Sequence, residues 1–232
     1  MPADVPPAIV GAVLAALICT AGPRVVGRLP EPVAALSDQA PYRQIAARRH
    51  LAAELASAGA LVGGVLGWRL GFQPVLAAWL YLAGAGVVLG YVDARTRLLP
   101  TRIIAPSYAV VVALVCMAVA VDAGPHRLAG AALGWLVMGG CYLLLWLVHP
   151  SGLGYGDVRL SGLLGIPLGY LGWASLLTGL YAGFVLGAVG GLVLSLRRGG
   201  GRRAFAFGPF MLLGCLVGAA FGPALSSLYL SG

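Results

Sequence analysis

The sequence predicts an all-α membrane protein, a polytopic bundle of about eight transmembrane helices. Of its 232 residues, 60% are hydrophobic and only 9% are charged, and the mean hydropathy is +0.93. A soluble domain keeps about a quarter of its residues charged, so this chain cannot cover itself with a polar surface. The 36 glycines agree with a membrane location, because small residues let membrane helices pack closely.

Eight apolar runs are long enough to cross a hydrocarbon core of roughly 30 Å when tilt and short ends are allowed. The sixth run is short, and its boundary with the seventh lies near Trp173. The polar stretch 24–50 follows the first run, and its second half, 42–49, predicts a short basic amphipathic helix on the membrane surface. The approximate limits of the runs are 7–23, 51–68, 73–92, 103–121, 127–148, 157–172, 174–196 and 205–230.

The arginines predict the orientation. All fifteen basic residues are Arg, and thirteen of them fall in the first, third, fifth and seventh loops. These loops are cytoplasmic if the N-terminus is outside, as the positive-inside rule requires. Only Arg69 and Arg127 lie elsewhere. The net charge of +8 therefore indicates topology and does not indicate a nucleic-acid partner.

The four cysteines indicate neither a disulfide framework nor a zinc site. Each stands alone in an apolar run, and none forms a C-x-x-C pair. No other cluster of metal-ligand residues is evident, so we expect no metal and no cofactor. The cysteine positions are Cys19, Cys116, Cys141 and Cys215.

Two aspartates occupy distinctive positions at the cytoplasmic ends of predicted helices. Asp93 ends an apolar run, within YVDARTRLLP, and Asp157 begins one, within GLGYGDVRL. The glycines around Asp157 predict backbone conformations closed to other residues and close approach of a substrate chain. Both carboxylates lie at the same membrane face, so they can meet. The competing interpretation is that each aspartate anchors its helix end by pairing with a nearby arginine.

A pair of carboxylates can perform general acid–base chemistry. Two that are brought together cannot easily both ionise, so one keeps a proton and the other does not. The ionised group takes a proton from water while the protonated group polarises the scissile carbonyl of a peptide. The sequence does not indicate which aspartate carries the proton.

Three segments in order resemble the bacterial type IV prepilin peptidases. They are Asp93 followed by a basic stretch and Leu99-Pro100, the GYGDVRL segment 154–160, and the AFGPF segment 206–210. The resemblance implies an aspartic endopeptidase that removes the leader of prepilins or pseudopilins at the cytoplasmic face of the inner membrane. It also implies that Asp93 and Asp157 are the catalytic pair. We expect the site to be shaped by Gly154, Gly156, Gly208 and Pro209.

The sequence departs from larger members of that family. Those members carry a cytoplasmic domain with paired C-x-x-C zinc ligands and N-methylate the new amino terminus. We expect a short form that cleaves without methylating, with a first helix and basic loop over 1–50 and a membrane-embedded peptidase domain over 51–232. Arg159 replaces the usual Lys, and Thr101 stands where Asn or Asp is common.

Two alternatives remain open. The presenilin group pairs a similar aspartate with Pro-Ala-Leu, but the triplet 223–225 falls near the outer end of the last run. A small transporter, or a non-catalytic component of a pilus or secretion machine, would share the hydrophobic composition. A transporter usually places its ionisable groups near the bilayer midplane. The expected partners are a prepilin or pseudopilin and membrane lipid, and the oligomeric state is not indicated.

Overall fold

The computed structural model confirms the all-α prediction. It describes residues 5–31, 41–122, 124–150, 152–197 and 206–230, with no side chain described for Ser195, Arg197 or 225–230. The arginines at 198, 202 and 203 lie outside the described residues. The described helices are α1 (Pro7–Thr20), α2 (Gly22–Gly27), α3 (Tyr42–Ala46), α4 (Leu51–Leu70), α5 (Leu76–Thr96), α6 (Thr101–Asp122), α7 (Pro125–Val148), α8 (Tyr155–Leu171), α9 (Trp173–Arg197) and α10 (Gly208–Leu230).

Each predicted apolar run corresponds to a helix or, for the first run, to the α1–α2 pair. Six of these segments are long and apolar enough to cross a membrane, namely α1 with α2, α4, α5, α6, α7 and α9. Helix α8 has 17 residues, which corresponds to roughly 25 Å, and the described apolar part of α10 covers only Gly208–Ala224. The count of eight spans and the outside location of the N-terminus therefore stay predictions.

Helix α8 lies in the centre of the bundle, with 13 of its 17 residues buried. It packs along α7 at a distance that only glycine permits. A Cβ atom on Gly134 would lie 2.1 Å from the carbonyl oxygen of Gly165, and one on Gly130 would lie 2.6 Å from that of Gly169. This close packing fixes the position of α8 along its axis relative to α7.

Helices α9 and α10 form a second close pair, in which a Cβ atom on Gly214 would lie 2.3 Å from the backbone nitrogen of Gly183. Because successive long helices alternate in direction, the end of α5 and the beginnings of α6, α8 and α10 lie at one end of the bundle. The end of α4, the beginning of α7 and the α8–α9 junction lie at the other.

The predicted surface helix over 42–49 is shorter than expected, because α3 ends at Ala46. The Glu31 carboxylate accepts hydrogen bonds from the N–H groups of Tyr42 and Arg43, at 2.9 and 3.0 Å. Both Tyr42 and Ile45 are buried. The segment is therefore packed onto the bundle rather than lying free on its surface.

Candidate active site

Asp93 lies in the last turn of α5 and is only 4% exposed. The helix ends just after it, because Arg97 takes a left-handed conformation with φ of 55°. The Arg97 N–H group donates to the Asp93 carbonyl oxygen at 2.7 Å. The chain then turns away from the helix axis, so that the Asp93 side chain faces the beginnings of other helices.

Gly208, the first residue of α10, holds the Asp93 carboxylate. Its N–H group donates to Asp93 Oδ2 at 2.9 Å, and a Cβ atom at this position would lie 2.7 Å from the same oxygen. Any larger residue would displace the carboxylate. Pro209 packs instead against α5, where its Cα atom lies 3.9 Å from the Cβ position of Gly90. Gly208 therefore contacts the candidate site directly, whereas Pro209 positions the beginning of α10.

Asp157 lies in the first turn of α8 and is 8% exposed. It caps its own helix, because the Gly154 N–H group donates to Asp157 Oδ2 at 3.1 Å and the Asp157 N–H group donates to the Gly154 carbonyl at 3.0 Å. The other carboxylate oxygen, Oδ1, is buried and has no hydrogen-bond partner among the described residues. One oxygen is thus fixed by backbone, and the other remains available.

The prediction that glycine supplies a conformation closed to other residues is wrong at Gly154 and Gly156. Gly154 is extended, with φ of −73°, and Gly156 is helical. Close approach accounts for Gly156 instead, because a Cβ atom there would lie 2.8 Å from Leu99 Cβ. The group that approaches Gly156 is thus a side chain of the same chain, and the predicted approach of a substrate stays a prediction.

Leu99 joins the surroundings of the two aspartates. The same side chain that packs on Gly156 also lies 3.5 Å from the Cβ position of Gly208. The α5–α6 linker, the beginning of α8 and the beginning of α10 therefore meet around one leucine. Asp93 and Asp157 are close enough for their charges to interact.

No arginine lies within ion-pair distance of Asp93 or Asp157 in the described part of the chain. Two neighbouring arginines are engaged elsewhere. Arg95 lies over the Tyr91 ring at 5.4 Å, and Arg159 bonds to the Thr101 hydroxyl and lies over the Tyr155 ring at 4.6 Å. The structure thus gives no support to the interpretation of these aspartates as salt-bridge anchors.

Tyr142 belongs to the surroundings of Asp157, although no sequence motif pointed to it. Its side chain is fully buried, and its hydroxyl has no hydrogen-bond partner among the described residues. The ring stacks on Phe184 at 5.0 Å and lies 6.0 Å from Phe207, the residue before Gly208. Asp157 is near enough for its charge to act on the Tyr142 hydroxyl. Tyr142 is one of nine tyrosines and stands in an ordinary apolar run, so no local pattern distinguishes it.

The arrangement supplies two carboxylates and backbone amides, and little else that is charged. Within the described ranges, no group of three or more His, Cys, Asp or Glu side chains could hold a metal ion. The chemistry that these groups can support is proton transfer to and from a bound water and a carbonyl.

Comparison with known proteins relates the central segment of the chain to one family. Residues 79–192 match the type IV leader peptidase family. Three curated proteins, each named prepilin leader peptidase/N-methyltransferase, are similar to this chain. The Pseudomonas putida protein is 32% identical over 165 residues, which is 70% of this chain and 56% of the relative. The Pseudomonas aeruginosa protein is 29% identical over 79% of this chain and 62% of the relative.

The Escherichia coli K12 protein is 29% identical over 65% of this chain and 66% of the relative. The chain thus spans about three fifths of the length of the Pseudomonas relatives that it matches. No solved structure gives a match of comparable strength. The family match covers α8 and nearly all of α5. The segment that holds both aspartates, residues 79–192, belongs to the type IV leader peptidase family.

Proposed function

We propose that this protein is a membrane aspartic endopeptidase that cleaves the leader from prepilins or pseudopilins, with Asp93 and Asp157 as the catalytic pair. The observation that carries the proposal is the convergence of these two buried carboxylates at one end of the bundle, each held by a glycine N–H group. The names of the relatives support the substrate class.

The geometry suggests how the pair works. Gly208 and Gly154 each bind one carboxylate oxygen, which fixes the orientation of both aspartates. The buried Oδ1 atom of Asp157 remains available for a water molecule or a substrate carbonyl. The ionised aspartate takes a proton from water, whose oxygen attacks the peptide carbon, while the protonated aspartate donates to the carbonyl oxygen. When the C–N bond breaks, the leaving amine takes up the proton that the first aspartate received from water, and a hydroxyl of the tetrahedral intermediate returns a proton to the other aspartate, so that the pair again holds one proton.

We propose that the site faces the cytoplasm. The arginine distribution supports this side, because the α5–α6 linker beside Asp93 contains Arg97 and Arg159 follows Asp157. Asp93 and Asp157 lie at helix ends, whereas a transporter usually places such groups near the midplane. The endopeptidase proposal is therefore preferred over the transporter.

We propose cleavage without methylation, since these 232 residues contain no C-x-x-C pair of the kind expected for the zinc-containing domain. The surrounding lipid and a prepilin or pseudopilin are the proposed partners, and no nucleic acid and no cofactor are required.

The test is cleavage of a co-expressed prepilin by the wild-type protein and by the Asp93→Asn and Asp157→Asn variants. Asn keeps the size of the side chain but cannot take a proton from water, so each variant should lose about 100-fold or more of the cleavage rate. Cleavage is read as a gel shift, with protein abundance measured in the same membranes. Asp122→Asn is the matched control, because Asp122 lies at the opposite end of the bundle.

Mass spectrometry of the product completes the test. A free, unmethylated amino terminus is expected, and a product heavier by one methyl group would contradict the proposal of cleavage alone. If either the Asp93→Asn or the Asp157→Asn variant cleaves at the wild-type rate, that residue is not catalytic and the two-aspartate mechanism is wrong.

A further inference from the structure

A cavity lies at the end of the bundle opposite the aspartates. It has a volume of about 540 Å³ and is formed where α4 ends, α7 begins and α8 is followed by α9. Tyr170, in the last turn of α8, lines it. Asp157 is in the first turn of the same helix, which places the cavity roughly 20 Å from the candidate active site.

Several polar side chains line this cavity, and two of them are arginines. Arg69 comes from the end of α4 and Arg127 from the beginning of α7, and His126 and Gln73 lie beside them. These are the two arginines that lie outside the predicted cytoplasmic loops. Their meeting at one cavity gives them a shared location, which the topology rule does not explain.

Arg69 is held in place without a carboxylate partner. Its Nε–H group donates to the Ala220 carbonyl oxygen at 2.5 Å, and its guanidinium lies 5.2 Å from the centre of the Trp68 ring and 4.8 Å from that of Phe221. No acidic side chain lies within ion-pair distance of it among the residues that the structure describes. A guanidinium has five N–H donors, and among the described residues only the Nε–H group of Arg69 is seen to donate a hydrogen bond.

Arg127 adds a polar wall but little net charge. It forms an ion pair with Asp122 at 2.8 Å and lies over the Tyr170 ring at 5.1 Å. The Asp122 carboxylate also accepts a hydrogen bond from the Tyr170 hydroxyl. The Arg127–Asp122 pair is neutral as a unit, so the positive charge of Arg69 is not balanced within the cavity.

The remaining lining is apolar and includes Leu133 and Leu176. Trp173 lines the cavity as well, and tryptophan is typical of the boundary between hydrocarbon and water. A cavity with an unbalanced guanidinium at one side and leucines at another fits a ligand that has both an anionic head and an apolar tail. The planar guanidinium suits phosphate oxygens because it can donate two parallel hydrogen bonds.

We propose that this cavity binds an anionic phospholipid, with the guanidinium of Arg69 on the lipid phosphate and the apolar lining on an acyl chain. An anionic headgroup is preferred over a zwitterionic one, because the latter brings its own cation to the arginine. The inference does not depend on the peptidase activity.

The experiment is native mass spectrometry of the full chain in detergent, titrated with phosphatidylglycerol or with phosphatidylcholine of the same acyl chains. The wild-type protein should bind one phosphatidylglycerol about tenfold more tightly than phosphatidylcholine. Arg69→Gln should weaken the binding of both lipids, because both offer a phosphate to the guanidinium. Because the neutral Gln no longer repels the choline cation, the variant should also remove most of the roughly tenfold difference between them. Arg24→Gln, which removes the same charge from an exposed position on α2, should leave it unchanged.

Three further arms make the outcome unambiguous. Arg69→Lys keeps the charge but loses the paired N–H donors, so it should retain the preference while binding both lipids more weakly. Each variant is first checked for an unchanged elution volume in size-exclusion chromatography. The Leu133→Ala variant then tests the acyl-chain contact without changing the arginine. Millimolar inorganic phosphate should not displace the lipid. Equal binding of the two lipids by the wild type, or full displacement by inorganic phosphate, would overturn the proposal.

Discussion

The carboxylates at the two ends of the bundle have different kinds of partner. Asp122, at the end of α6, is paired with Arg127 at 2.8 Å and bonded to the Tyr170 hydroxyl. Asp93 and Asp157 are buried, and their carboxylates receive hydrogen bonds from backbone N–H groups of Gly208 and Gly154. In the described part of the chain, neither has an arginine within ion-pair distance.

The difference distinguishes Asp122, whose carboxylate stabilises the fold, from Asp93 and Asp157, whose burial destabilises it. Burying an acid without a cation costs free energy, whereas an ion pair at the surface costs little. Arginines were available near both aspartates in sequence, yet Arg95 and Arg159 contact tyrosines instead. Buried carboxylates that lack a cation partner, although arginines are nearby in sequence, are typical of a functional site.

The largest effect within this comparison is expected from the glycine that holds Asp93. Gly208→Ala places a methyl group 2.7 Å from Asp93 Oδ2, so the carboxylate must move. A displacement on the order of 1 Å can cost about 100-fold in rate, and prepilin cleavage should fall by about that factor. Gly140→Ala is the matched control, because a Cβ atom there meets nothing within 4 Å. Equal cleavage by the two variants would show that the contact between Gly208 and Asp93 is unimportant.

Smaller effects are expected on stability, where replacing Asp122 should act in the opposite direction from replacing Asp93 or Asp157. Asp122→Asn removes the ion pair with Arg127 and should lower the free energy of unfolding by about 1 kcal/mol or less. Asp93→Asn and Asp157→Asn should leave the unfolding temperature unchanged or raise it, since Asn can still accept the glycine hydrogen bond and relieves the repulsion between two acids. Thermal unfolding of the three purified variants in one detergent measures this. A marked loss of stability in Asp93→Asn or Asp157→Asn would place that aspartate in the same structural class as Asp122.

The eight long helical segments seen in the described ranges could be predicted from the sequence, because hydropathy is a property of each run by itself. The position of the aspartates at one end of the bundle followed from the alternation of helix direction. The interruption at Ala21 that separates α1 from α2, and the early end of α3 at Ala46, depend on local hydrogen bonds that composition does not reveal.

The candidate site was predictable only where its residues stand in short motifs. Asp93, Asp157, Gly154, Gly156 and Gly208 belong to such segments, and in the structure Leu99 packs against both Gly156 and Gly208. Tyr142 could not be found in this way, because its position beside Phe184 and Phe207 arises from the packing of α7, α9 and the beginning of α10. The special backbone conformation expected for Gly156 was wrong, because this residue is helical and its closest neighbour is the Leu99 side chain.

The central claim is that Asp93 and Asp157 act as one catalytic unit, and a double-variant cycle tests it most directly. Initial rates of prepilin cleavage would be measured for the wild type, Asp93→Asn, Asp157→Asn and the double variant at equal abundance in membranes. Residues that act as a unit have non-additive effects, so the double variant should cleave no more slowly than the slower of the two single variants. Losses that multiply in the double variant, or a single variant that cleaves at the wild-type rate, would contradict the account.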